Sequence, residues 1–359
     1  MLQPFSPIRP AFTAAMIIPT GIGASIGGFA GDATPALNLL ASVTDTLITH
    51  PNVANAAVFQ KLPENALYVE GYGLDQFMLG RWGLRPVRKN RIGVVFDTAI
   101  GRDMRILHEN TINAVRSVYG VEVVGAVETD EPVETACVIT DSGCSSGTLR
   151  NPETILAACR QLLDQGADAI ALCVQLPELS EADEIRYRTG SGADPIGGIE
   201  GILSHLVVSE LSIPCAHAPV FPWEKATPVT DEVVDPRAAA EYITPTFLPC
   251  VLTGLSRAPQ FEPLPNVSRH TLTVADLNAL IVPASALGGI PVLAALSRNI
   301  PVIAVQANQT ALSVDVSCFK QMPPSRRNLI HLARSYEEAV GILQTLRLGL
   351  SLPGSVCAS

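Results

Sequence analysis

Apolar residues fall along this chain in short unbroken runs, each ending at a glycine-bearing turn that opens a stretch with apolar positions at helical spacing. Ala15–Ile18 runs into Pro19–Gly28, after which Thr34-Pro35 opens a helix, proline being suited to a first turn. Asp45–Thr49 forms a second short strand, and Arg91–Phe96 a buried one. A helix over about 103–119 follows, with Gly120 as its terminator, then a strand over 121–127. Cys137–Thr140 is the next strand. Asn151-Pro152 caps a helix that ends at Gly166, and Ala167–Val174 is a strand again. A helix over about 198–211, a unit of strand 279–282, helix to Asn299 and strand 301–305, and a last helix over 336–348 complete the pattern.

Strands that read as continuous Val, Ile, Leu and Ala are those of parallel sheets covered on both faces. Their alternation with helices predicts an α/β fold of mostly parallel sheets built from βαβ units. A chain of 359 residues is long for one core, so two Rossmann-like lobes are expected, residues 1–180 and 181–359. The proline-rich stretch 219–270 is expected to be an insertion or lid within the second.

Hydrophobic residues make up 47% of the chain and charged ones 16%, which excludes disorder. Two uncharged stretches test the membrane alternative. Residues 277–297 are long enough to span, but Pro283, Gly288, Gly289 and Pro291 favour strand, turn and helix. Residues 10–31 follow Arg9 as a signal peptide would, yet their apolar core, Ala14–Ile18, is short and reads as a strand. The net charge of −10 argues against nucleic acid and anionic membranes as partners. Eight cysteines without a CxxC pair argue against zinc-ribbon chemistry, and several lie in apolar runs, as Cys173 does. That usage suits a reducing compartment, so a cytoplasmic location is expected.

Three glycine turns carry the candidate chemistry. Thr140–Gly147 is read as a loop between a strand end and a helix N-terminus, where backbone N–H groups and the helix dipole favour an anion. Ser142, Gly143, Ser145, Ser146 and Gly147 would bind it, and Cys144 would be the activated thiol, with Asp141 beside it. In Pro19–Gly28 the residues Gly21, Gly23, Ser25, Gly27 and Gly28 lack the dinucleotide spacing. The next strand ends in Thr49-His50 and not an acid, so no NAD site is expected and a nest for a carboxylate or phosphate remains. Ser285, Gly288 and Gly289 repeat the arrangement.

Among six histidines, His50 and His217 sit at strand ends suited to a ligand-binding edge, and His205 falls within a helix. His108, His270 and His331 read as surface positions. No metal-ligand spacing is present, so no metal is expected. The acidic candidates are Asp32, Asp45, Glu70, Asp97, Asp141 and Asp194, although most such residues serve as caps or turn formers.

The runs 18–28, 49–55 and 286–296 resemble a family of unknown function in photosynthetic microbes and plants, which implies no activity, cofactor or catalytic residue. A weaker likeness is to aspartate/glutamate racemase-type enzymes, in which two α/β domains each present a cysteine. It would assign Cys144 and Cys215 as the pair, although the Cys-Asn-Thr and Cys-Thr contexts are absent.

These readings give two expectations. One is an isomerase, racemase or lyase acting on a small carboxylate or phosphate through Cys144, with Asp141 or His217 handling protons. The other is a metabolite-binding or regulatory protein using the same turns without turnover. No cofactor is assigned, and a homo-oligomer is compatible with either.

Overall fold

The computed structural model describes residues 11–29, 31–54, 62–222, 233–242 and 246–350. Strands are numbered in chain order. A six-stranded sheet is formed by β1 (Thr13–Met16), β2 (Thr46–Thr49), β3 (Ala66–Tyr68), β12 (Leu277–Pro283), β13 (Val302–Val305) and β14 (Ile330–Ala333). Its order is β14-β13-β12-β1-β2-β3, and every pairing is parallel. A four-stranded sheet contains β5 (Arg91–Phe96), β6 (Glu122–Glu128), β9 (Ala169–Gln175) and β10 (Cys215–Val220), in the order β10-β9-β5-β6, again all parallel. The expected α/β class with parallel sheets is what the chain adopts.

The continuous apolar runs explain themselves here. All residues of β9 but the last are buried, as are all of β13, because helices cover both faces. The helices are α1 (Thr34–Ala41), α2 (Gly71–Met78), α3 (Arg102–Tyr119), α4 (Pro152–Asp164), α5 (Glu181–Arg188) and α6 (Gly197–Leu211), followed by Leu248–Leu255, Ile290–Ser297 and Tyr336–Arg347. In α3, Met104, His108, Ile112 and Val115 recur at helical spacing and form the buried face. Gly120 ends it in the left-handed conformation (φ +67°), the role its position suggests. His108 corrects one expectation: it is fully buried, not a surface residue, with Nδ1 2.7 Å from the Met104 carbonyl one turn back.

The six-stranded sheet takes its strands from both ends of the chain, and the four-stranded sheet from the middle. The passage between them is the antiparallel ribbon of β4 (Trp82–Arg85) and β11 (Gln260–Pro263), which sets Arg85 opposite Gln260. Residues 277–297 form β12, a turn and a helix, as expected. Among the described residues no helix is long and apolar enough to cross a membrane. The largest cluster of buried side chains spans both sheets, joining Val95 and Ile170 to Leu280 and Val302.

One element departs from the sequence reading. Residues 135–149 form an antiparallel hairpin of β7 (Thr135–Ile139) and β8 (Ser145–Leu149), with Ile139 opposite Ser145. Thr140–Cys144 is therefore a hairpin turn, closed by the Thr140 N–H on the Cys144 carbonyl (2.8 Å) and the Gly143 N–H on the Thr140 carbonyl (2.8 Å). The next helix starts only at Pro152.

Candidate functional site

The hairpin removes the argument for Cys144. No helix N-terminus follows it, so neither the dipole nor a row of free N–H groups acts on its thiol. Cys144 instead packs, half-buried, against the cluster under the six-stranded sheet, and Asp141 is exposed at the turn. The Ser142 hydroxyl bonds with that of Thr140 (2.9 Å). Ser145, Ser146 and Gly147 lie in β8 and not in a loop.

Ser145 has a structural task. Its Oγ donates to the Pro195 carbonyl (2.9 Å) and accepts from the Gly198 N–H (2.9 Å), capping α6 from another element because Ile196, at the N-cap, has no side-chain bond to offer. The Ser145 N–H in turn donates to the Gly21 carbonyl (2.7 Å). A Cβ on Gly198 would come within 2.3 Å of the Ser145 carbonyl carbon and the Ser146 nitrogen. Glycine is required there by the close approach of hairpin and helix.

The turn 19–28 is likewise engaged internally. The N–H groups of Ser25, Ile26 and Gly27 donate to the Gln309 carbonyl, Asn308 Oδ1 and Asp32 Oδ1, so these three leave no nest for an external anion. Gly21, Gly23 and Gly27 all have positive φ, and a Cβ on Gly28 would strike the Ala24 carbonyl oxygen. His50 locks the same turn: its Nε2 accepts from the Ile18 N–H (3.0 Å), and burial holds its pKa down at about 4. The Ser285 hydroxyl bonds with Thr310 (2.8 Å), and Gly288-Gly289 lead into the helix Ile290–Ser297 as expected.

His217 is the sequence candidate that finds chemical company. Its strand β10 packs against α6, and its Nδ1 lies 3.3 Å from Glu200 Oε1. The side chain is 1% exposed, and Nε2 has no hydrogen-bond partner. Burial drives the ring's pKa down to about 3, against weaker opposing pulls from the Val174 carbonyl and the Asp97 charge. The imidazole is thus neutral at physiological pH.

Glu200 keeps 21% of its side-chain surface, so solvent reaches it, yet desolvation raises its pKa well above the carboxylate range. Asp194 is raised too, first by burial and then by the charge of Glu200. Its Oδ1 accepts from the Ile196 N–H (3.0 Å), so the protein's own carboxyl occupies the start of α6. Two coupled carboxyls and a neutral histidine form a compact acid–base group.

Glu200 was passed over in sequence because it stands as one acid in Ile-Gly-Gly-Ile-Glu, and only packing of α6 on β10 brings it to His217. Asp97 turns out structural: its carboxylate accepts from the N–H groups of Ala99, Val133 and Gln175. Glu70 caps α2 through Oε2, on the N–H of Tyr72 (2.7 Å), and pairs through Oε1 with His205. Cys215, the second cysteine of the racemase likeness, is buried, which pushes its thiol pKa far up and leaves it inert. Among the described residues no group of three or more His, Cys, Asp and Glu side chains is placed to hold a metal ion.

Comparison with known proteins adds no activity. An uncharacterised lipoprotein of a Synechococcus strain is 41% identical over 342 residues, 95% of this chain and 92% of that protein. Its description as a lipoprotein, a protein anchored by covalent lipid, overturns the cytoplasmic expectation drawn from cysteine usage. Unpaired cysteines report only that burial protects them. No solved structure matches. Residues 13–354 match a family described as a protein of unknown function, DUF3326, and the chain belongs to that family.

Proposed function

We propose that this protein is a small-molecule enzyme of the isomerase, racemase or lyase type, working by proton transfer at Asp194, Glu200 and His217. The observation that carries the reading is the buried His217 Nε2 without a partner. With Glu200 protonated at neutral pH, its hydroxyl donates to Nδ1 and fixes the imidazole proton on Nε2. A buried N–H donor without an acceptor is costly and calls for an oxygen supplied from outside. A substrate carbonyl or carboxyl oxygen is the matching group, and a neutral imidazole is suited to polarising it.

Paired carboxyls divide the remaining roles. When one ionises, its charge raises the pKa of the other, so one acts as base and the other as acid. The base takes a proton from the carbon beside the polarised oxygen, and the acid returns one to the substrate or to a leaving group. No net oxidation occurs. Cys144 has no part in this scheme.

The test is a thermal-shift screen of oxo acids, hydroxy acids and their amides, followed by deuterium uptake from solvent into any ligand found. Wild-type protein should catalyse uptake, and Glu200→Gln should slow it by about 10²- to 10⁴-fold while retaining binding. Binding without uptake in the wild type would replace the enzyme by a metabolite-binding protein.

A further inference from the structure

The helix α5 is unlike every other long element of the fold: none of its eight residues is buried. Its own ends hold it together, through the Ser180 hydroxyl on the Asp183 N–H and the pair Arg186–Asp183. Two glycines of positive φ, Gly190 (+61°) and Gly192 (+77°), separate it from Asp194. The segment thus joins the acid–base group through a glycine hinge.

Arg237 gathers this segment onto the turn 19–29. Its Nη1 donates to the Ser25 carbonyl (3.2 Å), its Nη2 to the Gly190 carbonyl, and its Nε to Asp235 Oδ1 (3.0 Å). The Asp235 N–H donates to the Arg188 carbonyl (3.0 Å). The guanidinium also stands 5.4 Å from the ring centroid of Phe29, whose edge contact with Tyr187 of α5 has centroids 5.1 Å apart. One planar fork therefore ties three segments, a geometry that lysine cannot reproduce. Gly190 must be glycine for this contact, since a Cβ there would lie 2.2 Å from Arg237 Nη2.

The strap lies beside the proposed site. Asp183 acts on the Cys137 thiol together with Asp194 and Glu200, which places its carboxylate in the electrostatic neighbourhood of the pair. On the Gly23 side, a Cβ would meet the Gly192 carbonyl at 3.3 Å, so the hinge rests directly on the turn.

We infer that residues 181–192 are a hinged strap covering the entrance to the Asp194–Glu200–His217 group, latched by Arg237 to Ser25 and Gly190. The inference rests on the proposed site for its purpose but not for its mechanics. Release of the fork from the two carbonyls frees the strap to swing about Gly190 and Gly192 and admits a ligand to Glu200.

Amide hydrogen exchange of the ligand-free full chain tests the latch, whatever the substrate. Arg237→Ala should accelerate exchange at least about tenfold in peptides covering 181–192, and also in the 193–201 peptide at the start of α6, while β9 and β13 stay unchanged. Arg237→Lys keeps the charge and should open the same peptides, which guards against a variant that fails to fold. Unchanged exchange at 181–192 in Arg237→Lys overturns the latch, and so does a uniform rise across the whole chain. Acceleration of 181–192 without 193–201 overturns the covering role. If Glu200→Gln leaves proton transfer intact while the strap still opens, the site assignment fails and the latch stands.

Discussion

His50 and Asp32 hold the turn 19–28 from two sides and carry opposite pH signatures. The His50 pKa lies at about 4 in the fold because burial disfavours its charge, so the folded state binds fewer protons than the unfolded chain below pH 6.5. Its contribution is present above that pH and is lost as pH falls toward 4. Asp32 is raised to about 7, by burial first, against the N–H bonds of Gly27 and Phe29 and the charge of Arg237. Its protonated form is favoured in the fold, so stability contributed below its unfolded pKa of 3.8 is lost as pH rises through 7. Asp32→Asn keeps the acceptor for Gly27 and removes the ionisation. The variant should therefore gain stability relative to wild type between pH 5 and 8, and the comparison of Tm against pH measures it. A parallel pair of curves sinks the assignment.

Gly198 shows how a sequence signal can be real and its reading wrong. Glycines at 197 and 198 before a helix suggest an anion cradle or a hinge, but the space a Cβ would need is taken by the backbone of Ser145 and Ser146. Backbone cannot step aside as a flexible side chain does, so Gly198→Ala should destabilise the protein by about 1–3 kcal/mol. Denaturant titration measures this, and a neutral result means that hairpin and helix are not in contact in solution.

At the scale of elements, strands and helices were largely legible and their partners were not. The strand Arg91–Phe96, the helix ended by Gly120, and the unit from β12 to β13 all follow from local pattern, because burial on both faces demands unbroken apolar runs. The hairpin was missed for a reason that is physical. The strands β7 and β8 are mostly half-exposed or exposed, so their residues carry no continuous apolar signal. An antiparallel return within five residues also competes with the βαβ pattern that surrounds it. With the hairpin goes the helix dipole that was to activate Cys144, and with α6 comes Glu200.

For the whole molecule, the decisive feature is a single shared core. Strands from both ends of the chain complete the six-stranded sheet, and its buried residues merge with those of the four-stranded sheet through α2, α4 and α6. Two sheets that share one apolar cluster cannot separate without exposing it to water. Thermal unfolding should therefore be one transition, with calorimetric and van't Hoff enthalpies equal. Two resolved transitions would show that the sheets are independent units.

By itself the sequence determined the class of fold and the positions of its turns, since parallel strands need unbroken apolar runs and positive φ needs glycine. It also marked His217 as a strand-end residue worth testing. Only the tertiary structure decided what these residues meet. The glycine turns spend much of their hydrogen bonding on one another and on Ser145, Asn308 and Asp32, and the unpartnered group proves to be His217 beside Glu200. Local chemistry sets what a residue can do, but contacts between β10 and α6, or between Arg237 and Ser25, join positions separated by up to 212 residues. Their proximity is a property of the packed core, and no local pattern encodes it.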